Sequence, residues 1–410
     1  IMGFTTQLLH SDRRFGVEHG NLLKPIHPGV TYGYEDAHDL ARVFQGKQKG
    51  YTYGRQINPT VEALEQKVTQ MENGRATIAF STGMAAIGTT LFALLRSGDH
   101  VIASKYLFGN TASLFESFGT HGIELTFVDA TSADAVAAAV QPNTKLVFVE
   151  TIANPRTQVS DLVGIGAVCK AQGLIYVVDN TLTTPYLFQP KSVDASLVIN
   201  ALTKYIGGHG NALGGSVTEM GLFDWTTFPN IYDGYRVGEP SMWGLNQIKK
   251  KGLRDFGASL AADSAHRLST GADTLALRMA RACDNAAALA EFFQGHDLID
   301  AVYYPGLPDH PQHQRTVDLF GRPGAILSIE LRPEIDCFRF LNQLQTVIKA
   351  THLGDVRTLA IPVAHSIFYE IGPARRAEMD IKDNLIRFSV GIEDIGDLLD
   401  DFEQALSSVR

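Results

Sequence analysis

Lys204 stands between an apolar segment, Ala195 to Ala201, and the glycine-rich run Gly207-Gly208-His209-Gly210. The apolar segment reads as a short buried strand, and the glycines let a bulky planar ligand come close to the backbone. A second apolar segment, Leu174 to Asn180, delivers Asp179 near its carboxyl end, 25 residues before Lys204. An amine able to form an imine and an anion able to keep a pyridine nitrogen protonated suit pyridoxal phosphate. Taken singly, each has a plainer reading: most lysines are solvated, and a strand ending in Asp-Asn is often a turn signal. A third segment bears on the choice. Ala76 to Ser81 is apolar and runs into Thr82-Gly83, ahead of a helix-like stretch from Met84 to Leu95. Unpaired N–H groups at the Ser81 to Ala85 junction would face a phosphate, as helix starts do. Such turns recur in α/β proteins, and it is the order of all three features along the chain that favours one cofactor site.

The elements that must position these residues are legible in the apolar pattern. Strands are expected at His100 to Ala103, Glu124 to Asp129, Lys145 to Glu150, Leu174 to Asp179 and Ser196 to Ala201, with helices such as Thr111 to Gly119 and Leu162 to Gln172 between them. Alternating strands and helices predict an α/β fold: a mostly parallel sheet covered on both faces, with ligands beyond the carboxyl ends of its strands. Past Phe256 the pattern changes. A long helix carries Leu275, Met279, Ala282, Ala286, Leu289 and Phe293 at helical spacing, before strands at Ala325 to Leu331 and Leu385 to Val390. This predicts a smaller C-terminal α+β domain, and the apolar stripe is core. The expected division is an N-terminal arm over 1–60, a large cofactor-binding domain over 61–255 and a smaller domain over 256–410.

Composition narrows the function classes. The chain has 410 residues, 45% of them apolar, and a formal charge of −9, so it can bury a large core and offers no basic field for nucleic acid. Lys249-Lys250-Lys251 reads as a solvated helix face, and no membrane span is expected. Cys169, Cys283 and Cys337 have neither paired nor metal-like spacing, which fits a reducing cytoplasm and gives no catalytic thiol. His310 and His313 have the spacing of a metal pair but sit among prolines without an acid or thiol set, so no metal is expected. Ile1 ahead of Met2 is expected to be a cloning remnant, with no signal peptide after it.

Together these segments resemble the Cys/Met-metabolism family of pyridoxal-phosphate enzymes, of fold type I, along nearly the whole chain. The marks are Tyr51 to Thr60, Ser81 to Ala86, Phe108 to Thr111, Glu150 to Pro155, Val178 to Asn180, the Lys204 segment and Ile386 to Asp394. Tyr205 to Gly210, Phe223 to Trp225, Gly252 to Ala258 and Leu353 to Leu359 look nearest to the O-acetylhomoserine and O-succinylhomoserine sulfhydrylases. The resemblance implies an aspartate-aminotransferase-like fold and makes Lys204 the Schiff-base lysine and proton carrier, with Asp179 at the pyridine nitrogen and the ring of Phe108 over the cofactor face. It implies that Gly83, Met84 and Thr203 hold the phosphate, and that Tyr53 and Arg55 reach the neighbouring subunit's cofactor. Asn154 and Arg387 would bind near the substrate carboxylate, the arginine through its bidentate fork. A homo-oligomer follows, either a dimer with shared sites or a tetramer.

Several residues depart from that pattern. Phe108 replaces the usual tyrosine, Ala201 a serine, and Asn110 stands where methionine γ-lyase has a cysteine, which argues against that specialised activity. His352 replaces a small residue, and Ile361 to Ser366 lacks the usual Thr-His ending. Arg357 is expected either to meet a neutral or anionic γ-substituent or only to pair with Asp355. The expected reaction is γ-replacement on an O-acyl-L-homoserine, acetyl favoured, with sulfide or a thiol to give homocysteine. The alternatives are γ-elimination by a methionine or cystathionine γ-lyase, a cystathionine γ-synthase activity, and a cofactor-bound regulatory scaffold.

Overall fold

The computed structural model describes all 410 residues. Its larger sheet has seven strands: β1 (Ala76–Phe80), β2 (His100–Ser104), β3 (Glu124–Val128), β4 (Thr144–Glu150), β5 (Ile175–Asp179), β6 (Leu197–Asn200) and β7 (Gly215–Glu219), in the spatial order β1-β7-β6-β5-β4-β2-β3. The central strands β2 to β6 pair in parallel, and β7 runs antiparallel to both β6 and β1. Residue alternation divides the sheet's faces. Val147, Val149, Tyr176, Val178 and Val198 enter one core, while Leu146, Phe148, Ile175, Val177, Leu197 and Ile199 enter the other. Both faces are therefore apolar, as a sheet covered by helices on two sides requires.

A smaller sheet of five strands follows: β8 (Ile299–Tyr303), β9 (Ile326–Leu331), β10 (Ile348–Lys349), β11 (Leu359–Pro362) and β12 (Leu385–Ser389), in the order β10-β11-β12-β9-β8. It is antiparallel except for the short β10–β11 pair. The helix Leu275–Gln294 buries Leu275, Met279, Ala282, Ala286, Leu289 and Phe293, the stripe read from the sequence. One core runs from the large sheet through this helix to Ile329, Phe388 and Phe402.

Local chemistry starts the helices that matter for the site. Asn58 caps Pro59–Glu72 by accepting from the amides of Thr60 and Val61, and Thr82 caps Gly83–Leu94 by accepting from Ala85. At the amino end of the chain, Phe4–Leu9 packs onto the body through Leu8. Residues 16–57 behave differently. Their helix Ala37–Phe44 buries no side chain, and Leu22 and Phe44 are 71% and 70% exposed. The Lys249-Lys250-Lys251 run, read as a solvated face, lies in a π-helical turn, Ile248–Leu253. Of the three only Lys250 is exposed, the others being half-buried; Lys250 and Lys251 lie 5.4 and 5.3 Å over the rings of Tyr235 and Tyr232.

The turn after β6, which carries Lys204, is held by the C-terminal helices. Gly271, in the helix Ala262–Ala272, lies against it so closely that a Cβ there would sit 2.0 Å from the Gly207 carbonyl oxygen. Arg278 donates to the carbonyls of Tyr205, Ile206 and Gly271. Gly271→Ala is expected to push this helix off the turn, destabilising the fold by about 1–3 kcal/mol and weakening cofactor binding. Thermal melting and cofactor titration of the variant check this; unchanged values in both would contradict the contact.

Candidate active site

Three strand ends converge on one cavity of about 450 Å³. Glu150 closes β4, Asp179 closes β5, and Lys204 lies four residues past the end of β6 at Asn200; all three line the cavity. Gly83, Met84, Phe108, Asn154 and Thr203 line it as well. The parallel sheet thus presents its carboxyl edge to the ligand space, as open α/β sheets do.

The Lys204 ammonium has no carboxylate partner. Desolvation, followed by the positive charge of Arg387, lowers its pKa to about 8 from 10.5. A usable fraction of free amine therefore exists near neutral pH, the form needed to attack a carbonyl. Asp179 accepts from the Thr181 amide at 3.0 Å and from its hydroxyl through Oδ1 alone, leaving the second oxygen for a ligand. Burial raises the Asp179 pKa and these two bonds oppose the rise.

The amides of Gly83 and Met84 belong to a first helical turn, which has no intrahelical acceptors. A Cβ on Gly83 would meet the Ala201 Cβ at 2.8 Å, so the turn is closed to any larger residue. Thr203 faces the cavity, yet its hydroxyl is engaged with Gly214, donating to the carbonyl at 3.2 Å and accepting from the amide at 3.0 Å. Phe108 begins the helix Gly109–Gly119 and donates its amide to Glu150 Oε1 at 2.9 Å.

Asn154 and Arg387 are both buried and in contact, Nη1 to Oδ1 at 3.3 Å. Arg387 also donates Nη2 to the His352 carbonyl, while Asn154 Nδ2 and Arg387 Nε have no partner. Buried donors without acceptors are costly, and a bound carboxylate or phenolate oxygen would satisfy them. The free amine, the half-engaged carboxylate, the amide-lined turn and these two donors together fit pyridoxal phosphate and an amino-acid carboxylate.

Three sequence candidates lie elsewhere. Tyr53 and Arg55 line a separate groove, where Arg55 donates to the Arg254 carbonyl and Tyr53 is 41% exposed. Arg357 forks onto Asp355 at 2.6 and 3.0 Å, donates to the His209 carbonyl, and does not line the cavity. His310 and His313 spend their ring N–H groups on the carbonyls of Thr157 and Pro305. Two residues were missed in their roles. Arg278 sits on the buried stripe of its helix, where a charge signals captured carbonyls; Glu150, like Asp179, ends an apolar strand. The three cysteines are free and buried, which raises each thiol's pKa, Cys337's to about 11.

Comparison with known proteins agrees with this geometry. The model of the Cys/Met metabolism PLP-dependent enzymes matches residues 5–407. The chain belongs to that family. It is 36% identical to L-methionine gamma-lyase of Pseudomonas putida over 411 residues, covering 100% of this chain and 98% of the relative. With cystathionine gamma-lyase of Bacillus subtilis it shares 35% over 405 residues, covering 98% and 99%. A solved structure of a putative O-acetylhomoserine (thiol)-lyase from Campylobacter jejuni superposes with a TM-score of 0.93 at 28% identity, over 99% of this chain and 100% of that one. That structure carries a pyridoxyl-lysine. Fold type I and the pyridoxal-phosphate cofactor are thereby established, and the relatives favour γ-elimination over the γ-replacement expected from the sequence. No helix is long and apolar enough to cross a membrane.

The shifted lysine has a consequence for stability. An unfolded chain takes up the Lys204 proton below pH 10.5, whereas the folded chain resists until about pH 8, so folding is penalised as pH falls through that window. Lys204→Met is expected to raise the stability of the cofactor-free protein at pH 7 by on the order of 2 kcal/mol, with the gain shrinking toward the alkaline end. Thermal melts of both proteins across pH check this; equal melting temperatures at pH 7 would contradict the burial penalty.

Proposed function

We propose that this protein catalyses γ-elimination on a four-carbon L-amino acid whose γ-carbon carries a small neutral sulfur group, a thioether or a thiol. Methionine and homocysteine fit, with one water consumed and an α-keto acid, ammonia and a thiol released. The observation that carries this reading is the end-to-end identity with methionine and cystathionine γ-lyases. The lining supports a small neutral group: Leu213 and Leu353 line the cavity, and Arg357, which does not line it, is neutralised by Asp355. Neither a free anion for a second ammonium nor a free cation for a second carboxylate is offered there by that pair.

Pyridoxal phosphate, when bound, supplies an electron sink for a substrate carbon that has lost its proton. The protein's residues do the rest. Gly83 and Met84 hold the phosphate through their amides, and Asp179 holds the ring-nitrogen proton. Asn154 and Arg387 clamp the substrate carboxylate and so fix which bond at the α-carbon is broken. Lys204 takes the α-proton and redelivers it, and because Phe108 has no hydroxyl, the lysine is the proton carrier on that side. We further propose that residues 16–57 cover a second copy of the chain, bringing Tyr53 and Arg55 to that copy's phosphate. Their exposure and their distance from their own cavity support this arrangement.

γ-Replacement on an O-acyl-homoserine is the second reading, favoured by the close superposition with the thiol-lyase from Campylobacter jejuni. It shares the early proton transfers and differs in whether a thiol or water completes the reaction. The test offers methionine, homocysteine, cystathionine and O-acetylhomoserine to the cofactor-loaded protein, each with and without sulfide. Keto acid formed from methionine or homocysteine without sulfide is expected. Homocysteine formed only from the ester and sulfide would establish the replacement reaction instead. For the shared site, mixing Arg55→Ala and Lys204→Ala proteins, each inactive alone, is expected to restore partial turnover; none would contradict a site built from two chains.

A further inference from the structure

Glu150 is a second carboxyl group in the cofactor cavity with no part in the chemistry described above. It is the register partner of Asp179 on the adjacent parallel strand, and both side chains line the same cavity. Two carboxylates so placed disfavour each other's ionised form, and neither Lys204 nor Arg387 pairs with either one. The hydrogen bonds decide which one keeps the charge. Asp179 accepts from an amide and a hydroxyl of Thr181, whereas Glu150 accepts only the Phe108 amide. The anion is better solvated on Asp179, and the proton falls to Glu150.

We propose that Glu150 is a positioning residue that works as a neutral carboxylic acid: one oxygen anchors the Phe108 amide, and the proton it carries leaves the negative charge of the pair on Asp179. The anchored amide starts the helix Gly109–Gly119, so the Phe108 ring is set over the ligand space by a bond to the group that also neighbours the ring-nitrogen partner. Burial and the Asp179 charge act in the same direction, raising the Glu150 pKa to about 8. The facing groups are Asp179 from β5 and the Phe108 amide from the β2-to-helix connection; the remaining titratable group in the cavity wall is Lys204. This inference rests on the cofactor site and not on which sulfur compound the enzyme consumes.

The test compares two conservative variants that separate charge from shape. Glu150→Gln keeps the length and a carbonyl acceptor but has no charge, and Glu150→Asp keeps the acid but withdraws it from the Phe108 amide. Pyridoxal-phosphate affinity, read from the cofactor absorbance at pH 7, is expected to weaken by about threefold or less in the first and by about tenfold or more in the second. In the infrared difference spectrum of wild-type minus Glu150→Gln holoprotein at pH 7, a carbonyl stretch of a protonated carboxylic acid is expected, because the bands of the other buried glutamates, Glu65, Glu72 and Glu219, cancel between the two. If glutamine is the worse replacement, Glu150 acts as an anion and the proposal is overturned. A difference spectrum without that band would overturn it as well. Wild-type affinity measured in the same series keeps a failure of the cofactor site itself distinct from either result.

Discussion

The site depends on keeping an amine in a half-buried pocket with no counter-ion. Lys204 loses hydration without gaining a carboxylate, and Arg387 adds a second positive charge nearby, so the free amine is held at the edge of neutrality. Left to itself, a lysine escapes such a place by swinging into water. The chain prevents that by fixing the backbone directly after it. Arg278 gathers the carbonyls of Tyr205 and Ile206, and Gly271 packs directly on Gly207. The helices Ala262–Ala272 and Leu275–Gln294, which pack into the core shared by the two sheets, also clamp the turn that carries the lysine.

The large sheet supplies the opposite charge at a set distance. Parallel strands end together, so residues that terminate β4 and β5 arrive side by side beneath the same cavity. Asp179 thereby lies beside a neighbouring carboxyl and lines the same cavity as the amine. The phosphate turn follows β1, which joins the sheet through the antiparallel β7. Acid, amine and phosphate donors come from separate strands but share one edge, which is why a cofactor with three distant handles fits a sheet of this kind.

Much of this arrangement was legible in the sequence because burial writes itself as alternation. The strands at His100, Glu124, Lys145, Leu174 and Ser196 lie within a residue or two of the observed β2 to β6, and the apolar stripe of Leu275–Gln294 is fully buried. β7, Gly215–Glu219, escaped notice because Gly215, Ser216, Thr218 and Glu219 are polar or small although all are buried. Two-residue β10 is too short to carry any period. Side-chain partnership was harder to read than position. The fork of Arg357 onto Asp355 is a contact between residues two apart that no spacing rule separates from a ligand contact. Tyr53 and Arg55 line a groove separate from their own cavity, where Arg55 meets the Arg254 carbonyl. The lean of the relatives toward elimination over replacement corresponds to no individual residue read from the sequence; it rests on similarity over the whole length.

Reductive trapping tests the central claim most directly. Borohydride treatment of the protein loaded with pyridoxal phosphate, followed by digestion and mass spectrometry, locates the lysine that held the cofactor. The account predicts one pyridoxyl adduct, on the peptide containing Lys204. An adduct on a different lysine, such as Lys105, or no adduct at all, would contradict the assignment of the buried amine as the cofactor's anchor.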